Sequence, residues 1–205
     1  MDMEKDRQEA LTSLKRRDER MQRLVLALGD IGPLRPNEGF ETLVVAIISQ
    51  QISDKVKDVI KNRLEKRFGP FRKENYRNLS KKVLRDQGLS EKKAASILLL
   101  ANSDIDFDGL KDEEMAEVER TLLSFKGVGP WTVRMFQIFA MAEEDILPLD
   151  DHGVKTALMR LYDKKEEELS PFKTRFSPHG SLAARYLWRL HDLDEEQIET
   201  LKKGP

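Results

Sequence analysis

The stretch "SFKGVGPWTVRMFQIFAMAEEDILPLDDHGVKTAL", Ser124–Leu158, decides how this chain is read. A short turn, Gly127-Val128-Gly129, opens an almost wholly apolar segment whose first residue is Pro130. Proline is favoured at the first position of a helix, where its fixed φ helps and its missing N–H costs nothing. Two glycines in three residues let the backbone turn through positive φ and approach another molecule without a Cβ in the way. The amides of that turn and of the helix start then point outward as donors suited to a phosphate. A bare Gly-x-Gly is more often a tight connection between two helices. About twenty residues on, Asp150 and Asp151 follow Pro148 and begin a segment running through Val154, Leu158 and Leu161. An aspartate there ordinarily caps a helix and complements its dipole.

Outward from this stretch the periodicity is helical. Ile52, Val56, Val59, Ile60, Leu64 and Phe68 form one stripe, with Ser53 as the expected N-cap and Gly69-Pro70 as the stop. Ala94, Ile97, Leu98 and Ala101 form another after Ser90, and Met115, Val118, Leu122 and Phe125 a third. Leu182, Ala183, Tyr186, Leu187 and Leu190 follow Ser181, and Arg20–Leu28 and Phe40–Ile48 also read as helices. No segment alternates with a period of two between turn signals, and no repeat recurs at a fixed spacing. The expectation is an all-α fold of roughly nine to eleven short helices. Gly29–Gly39, with two prolines, and Glu143–Leu149 are the expected connections between layers.

Composition narrows the function classes. The 205 residues contain no cysteine, which excludes disulfides, cysteine-ligated zinc and thiolate-held iron–sulfur clusters. Three histidines make an all-histidine metal site improbable. Charged residues are 36% of the chain, yet the net charge is −1, so an anionic partner must be met by a local patch. Met1–Arg20 is charged throughout with no apolar h-region, and the apolar run Leu43–Ile48 is far too short to span a bilayer. An intracellular protein of the cytoplasm or nucleoid, without membrane contact, is expected.

"LLSFKGVGPWTVRMFQIFA", Leu122–Ala140, resembles the helix-hairpin-helix of the DNA glycosylase superfamily, and "LPLDDHGVKTAL", Leu147–Leu158, resembles its aspartate segment. Upstream, "FETLVVAIISQQISDKVKDVIKNRLEKRFG" and "GLSEKKAASILLLA" are similar to its earlier helices. The four stretches occur in the family's order, and the nearest branch is the alkyl-purine type, 3-methyladenine DNA glycosylase II. The resemblance implies two helical subdomains, 1–35 with 150–205 and 36–149, with the active-site cleft between them. It implies a monofunctional glycosylase that hydrolyses the N-glycosidic bond of damaged, alkylated purines in base excision repair. The alternatives are the same fold acting on oxidised or deaminated bases, or a non-catalytic helix-hairpin-helix DNA-binding protein.

The resemblance also assigns roles. The hairpin residues Lys126, Gly127, Val128, Gly129 and Thr132 would grip DNA backbone. The buried helix after them would hold the hairpin at a fixed distance from the catalytic aspartate. In the family's P-x-x-D pattern the fourth residue is the catalytic carboxylate, here Asp151, which leaves Asp150 as the cap. A fixed carboxylate stabilises the positive charge that grows on the deoxyribose as the base departs, and a helix N-terminus favours its negative charge. No second acid is obvious, and an N-alkylated purine, already cationic, needs none. Bifunctional relatives carry a lysine nucleophile two residues after the second glycine, where this chain has Trp131. Trp131 and Trp188 would wall the base pocket with Met135 and His152, although Met135 and His152 stand where relatives often have aromatics. His179-Gly180 likewise replaces an aromatic–arginine pair. The "SQQIS" corner, Ser49–Ser53, matches the intercalating turn, with Gln51 the first wedge candidate, Ile52 the second, and Gln50 reaching the opposite strand. No cofactor is expected, and no metal beyond a monovalent cation that hairpin carbonyls could hold. The expected partner is double-stranded DNA containing damaged bases, bound by a monomer, with an abasic-site endonuclease acting downstream.

Overall fold

In the computed structural model, which describes residues 3–204 with side chains from Arg7 onward, every regular element is helical. The α-helices are α1 (Met3–Arg17), α2 (Glu19–Leu28), α3 (Gly39–Ser49), α4 (Asp54–Phe68), α5 (Lys73–Tyr76), α6 (Lys81–Arg85) and α7 (Glu91–Asn102). They continue as α8 (Met115–Leu123), α9 (Pro130–Phe139), α10 (His152–Tyr162), α11 (Pro171–Phe176), α12 (Gly180–Trp188) and α13 (Glu195–Lys203). These thirteen described helices exceed the expected number because α5 and α6 are single turns, too short to carry a periodic stripe. No described helix is long and apolar enough to cross a membrane.

The chain folds as two units, one built from the segment up to Leu34 and the segment from Glu143 on, the other from Arg35–Ala142. The first boundary falls within Gly29–Gly39. The second lies at Glu143 rather than Asp150, because Glu143–Leu147 is tied to α12. The Ser181 hydroxyl donates to the Glu143 carbonyl (2.5 Å) and accepts from the Ile146 amide (3.0 Å). The Gly180 amide donates to Asp145 Oδ1 (3.1 Å). Ser181 is therefore buried inside α12, which begins at Gly180, two residues before its expected start at Leu182.

In the central unit α3 is the core helix, burying Phe40, Leu43, Val44, Ile47 and Ile48 and packing against α7 and α9. Each such side chain contributes about 1.5–3 kcal/mol on leaving water. Ser53 and Ser90 precede α4 and α7 as expected, and Ser90 Oγ accepts from the Lys93 amide (3.3 Å). In the terminal unit α1, charged overall, still buries Leu11 and Leu14. Asp18 caps α2 by accepting from the Met21 amide (2.8 Å), and the same carboxylate accepts from the Tyr162 hydroxyl (2.7 Å) and Arg175 (3.1 Å).

Candidate active site

The expected site residues divide between the two units. The terminal unit holds Asp151, His152 and Trp188. The central unit holds the hairpin, Trp131, Met135 and the Ser49–Ser53 corner.

Asp151 is buried at 9% exposure and is the N-cap of α10. Its Oδ1 accepts from the Val154 amide (2.8 Å) and from the indole N–H of Trp188 (2.8 Å). The cap role expected of Asp150 thus belongs to Asp151, because the turn closed by the Asp151 amide on the Pro148 carbonyl (2.9 Å) delivers the second aspartate to the helix start. Asp150 is exposed in that turn. Trp188, at the end of α12, packs against the terminal core and fixes the carboxylate, a function beyond the stacking wall expected of it. Gly153 was not singled out in the sequence, yet a Cβ there would lie 3.0 Å from Trp188 Cδ1 and 3.1 Å from Asp151 Oδ1. Glycine leaves that bond undisturbed. His152 opens α10 and is exposed. His179 is half-buried before α12, and burial pushes its imidazole below the usual histidine range.

The hairpin lies between α8 and α9. Lys126 and Gly127 are exposed, while the Val128 side chain joins the central core and its amide donates to the Phe125 carbonyl (3.1 Å). Only one of the two glycines uses positive φ. Gly127 stands at φ +93, and a Cβ there would come within 1.9 Å of Ser96 Oγ. Gly129 sits at φ −113 as N-cap of α9, with open space where a Cβ would be. Thr132, expected at the DNA backbone, is instead buried, its hydroxyl accepting from Gln50 Nε2 (3.2 Å). The same amide group donates to the Gly127 carbonyl (3.1 Å), so one hairpin oxygen open to a cation already carries a hydrogen bond. Trp131 is half-buried, and Met135, one turn on, is buried at 6% exposure, which leaves it little surface for a base.

At the Ser49–Ser53 corner, Gln51 is exposed in the left-handed region (φ +56). Ile52, the second wedge candidate, packs against the central core instead, and Gln50 is held by the hairpin. Of the three, Gln51 is the one directed to solvent.

The description "HhH-GPD superfamily base excision DNA repair protein" matches residues 44–176. DNA-3-methyladenine glycosylase 1 of Schizosaccharomyces pombe is 29% identical over 194 residues, covering 86% of this chain and 84% of its own length. The solved 3-methyladenine DNA glycosylase of Schizosaccharomyces pombe in complex with abasic DNA superposes with a TM-score of 0.79 at 27% identity, covering 90% of this chain and 97% of that one. The 3-methyladenine DNA glycosylase of Archaeoglobus fulgidus gives a TM-score of 0.81 at 27% identity, over 91% of this chain and 69% of its own. With the match spanning most of its length, this chain belongs to the HhH-GPD superfamily of base excision DNA repair proteins.

Proposed function

We propose that this protein is a monofunctional DNA glycosylase that removes alkylated purines of the 3-methyladenine type from double-stranded DNA. The observation that carries the reading is the Asp151 carboxylate, set at the start of α10 and held on one oxygen by the Trp188 indole and the Val154 amide. The similarity to 3-methyladenine glycosylases over most of the chain supports the substrate class.

In this reading, amides at the Gly127–Pro130 turn take a backbone phosphate, which positions the protein without reading sequence. The damaged nucleotide leaves the stack, and its cationic base lies against an aromatic face such as Trp131. The N-glycosidic bond breaks with its electron pair going to the base, so an N-alkylated purine departs neutral. The Asp151 carboxylate faces the positive charge left on the sugar, water adds its oxygen to C1′, and the water proton is released. A preorganised carboxylate acts without reorienting, because the bonds that fix it are made before substrate arrives. With Trp131 two residues after Gly129, no lysine stands where a Schiff-base nucleophile would be. The product is an uncut abasic site, left by a monomer to a separate endonuclease.

The test is incubation with duplexes carrying one defined lesion each, scoring free base, strand breaks with and without alkali, and borohydride trapping. Alkylated purines should be released, with breaks only after alkali and no trapped complex. Release confined to oxidised or deaminated bases would move the substrate class. A trapped complex would reveal an amine nucleophile, with Lys126 the first to examine.

A further inference from the structure

We infer that Lys93 is a positioning residue that holds the α3–α4 turn in the shape that presents Gln51 to the duplex. The inference rests on the proposed glycosylase reading for its DNA partner.

Helix α3 ends at Ser49, and the last carbonyls of a helix lack partners within it. Lys93, reaching over from α7, donates to the carbonyl oxygens of Ile48 (2.8 Å) and Gln50 (2.6 Å). A cation at the C-terminal end of a helix is favoured by its dipole. Lys93 is half-buried and makes no ion pair with a described carboxylate, and burial pulls its ammonium below the usual lysine range. A lysine whose only task was solubility would not be drawn from water in this way.

The turn is held on every side except one. Gln50 is fixed through its backbone by Lys93 and through its side chain by Gly127 and Thr132. Ser49 Oγ donates to the Val45 carbonyl (2.7 Å), and Ile52 is seated on the core. Between these anchors Gln51 is left in a backbone conformation that glycine prefers, at φ +56, with its side chain exposed. Such strain persists only where the surroundings over-determine it, and it is concentrated at sites of function. A wedge must enter a duplex already rigid, since ordering it at that moment would subtract from the energy available for flipping the base. Lys93 supplies that rigidity from outside the turn, through the Ile48 and Gln50 carbonyls.

Lys93→Met keeps the length of the side chain and removes the ammonium, while Lys93→Arg restores a cation able to donate to two carbonyls. Single-turnover base release is measured on a duplex and on a single strand, each carrying one N7-methylguanine. A single strand has no stack to hold open, so a wedge is irrelevant there. Lys93→Met should slow release from the duplex roughly ten- to hundredfold, the range that a misplacement of about 1 Å can reach. On the single strand the rate should stay within about twofold of wild type, and Lys93→Arg should recover most of the duplex rate. Gln51→Ala should show the same duplex-only loss, and the double variant should be no slower than the slower single. Equal losses on both substrates, or losses that multiply in the double variant, would overturn the inference. Amide exchange provides a readout independent of activity: Gln50–Ile52 should exchange faster in Lys93→Met while Leu43–Ile47 stays protected. Unchanged exchange at Gln50–Ile52 would also overturn it. If wild type releases no base from either substrate, the glycosylase reading fails for these lesions, and exchange alone decides the role of Lys93.

Discussion

Asp151 caps α10 and, in the function proposed above, also carries the chemistry, and substitutions separate the two tasks. Asp151→Asn keeps an acceptor for the Val154 amide and the Trp188 indole, so its melting temperature should stay near wild type. It loses the negative charge, and base release should fall by at least roughly a hundredfold, the scale of one lost electrostatic stabiliser. Asp151→Ala should lose as much activity and about 1 kcal/mol of stability besides, read from urea midpoints. An active Asp151→Asn would remove Asp151 from the chemistry. The two tryptophans should behave differently from each other. Trp188→Phe preserves a packed ring and removes the donor to Asp151, so release should slow on every lesion alike with duplex affinity unchanged. Trp131→Ala should instead penalise cationic lesions most, by roughly 1–3 kcal/mol if the base stacks there. Equal loss on neutral and cationic lesions would make Trp131 structural. The aspartate was singled out in the sequence by the resemblance of Pro148–Asp151 to the family's P-x-x-D pattern. Its holder was not, since Trp188 lies 37 residues away and only the packing of α12 on α10 brings the indole to the carboxylate. Gly153 was hidden for the same reason: what it makes room for comes from another helix.

The hairpin illustrates how an element can look symmetric in sequence and be asymmetric in space. Gly127 is demanded twice, by a positive φ and by the approach of Ser96, whereas Gly129 has neither constraint. Gly127→Val should therefore lower the melting temperature of the protein and lose DNA binding as a consequence of the damaged turn. Gly129→Val should melt near wild type and still weaken binding to damaged and undamaged duplex alike, because a branched side chain would stand between the helix start and a phosphate. Circular-dichroism melts beside gel-shift titrations distinguish the two. A Gly129→Val that binds normally would exclude this helix start as a phosphate site. The Gly-x-Gly turn and the resemblance of Leu122–Ala140 announced the hairpin, and the stripes announced the all-α class and located most long helices, since burying one face leaves a 3.6-residue signature. The inward turn of Thr132 left no such trace, because a threonine in the first turn of a helix reads the same whether it faces core or solvent.

At the scale of the molecule, the central unit carries a small defect. Tyr76 is wholly buried among Phe40, Phe68 and Phe71, and its hydroxyl is the one buried side-chain polar atom without a partner among the described residues. Burial pushes its pKa well above the usual tyrosine range. Tyr76→Phe should raise stability by about 1–3 kcal/mol, the cost of an unpaired buried group, seen as a higher urea midpoint at unchanged slope. A lower midpoint would mean that the hydroxyl finds a partner in solution. The terminal unit has another character, since its core joins both ends of the chain: Arg23 donates to the Leu201 carbonyl (2.6 Å) and Arg20 to that of Leu161 (2.8 Å). On the ribosome this sets an order of birth. Synthesis proceeds at about 5–20 residues per second, and Arg35–Ala142 is complete while α1 and α2 still await their partners. In stalled nascent chains the central unit should resist protease first, and α1 and α2 should remain cleavable until α13 has left the exit tunnel. A polypeptide released early would then carry a finished hairpin but not the packing of α12 on α10 that joins Trp188 to Asp151.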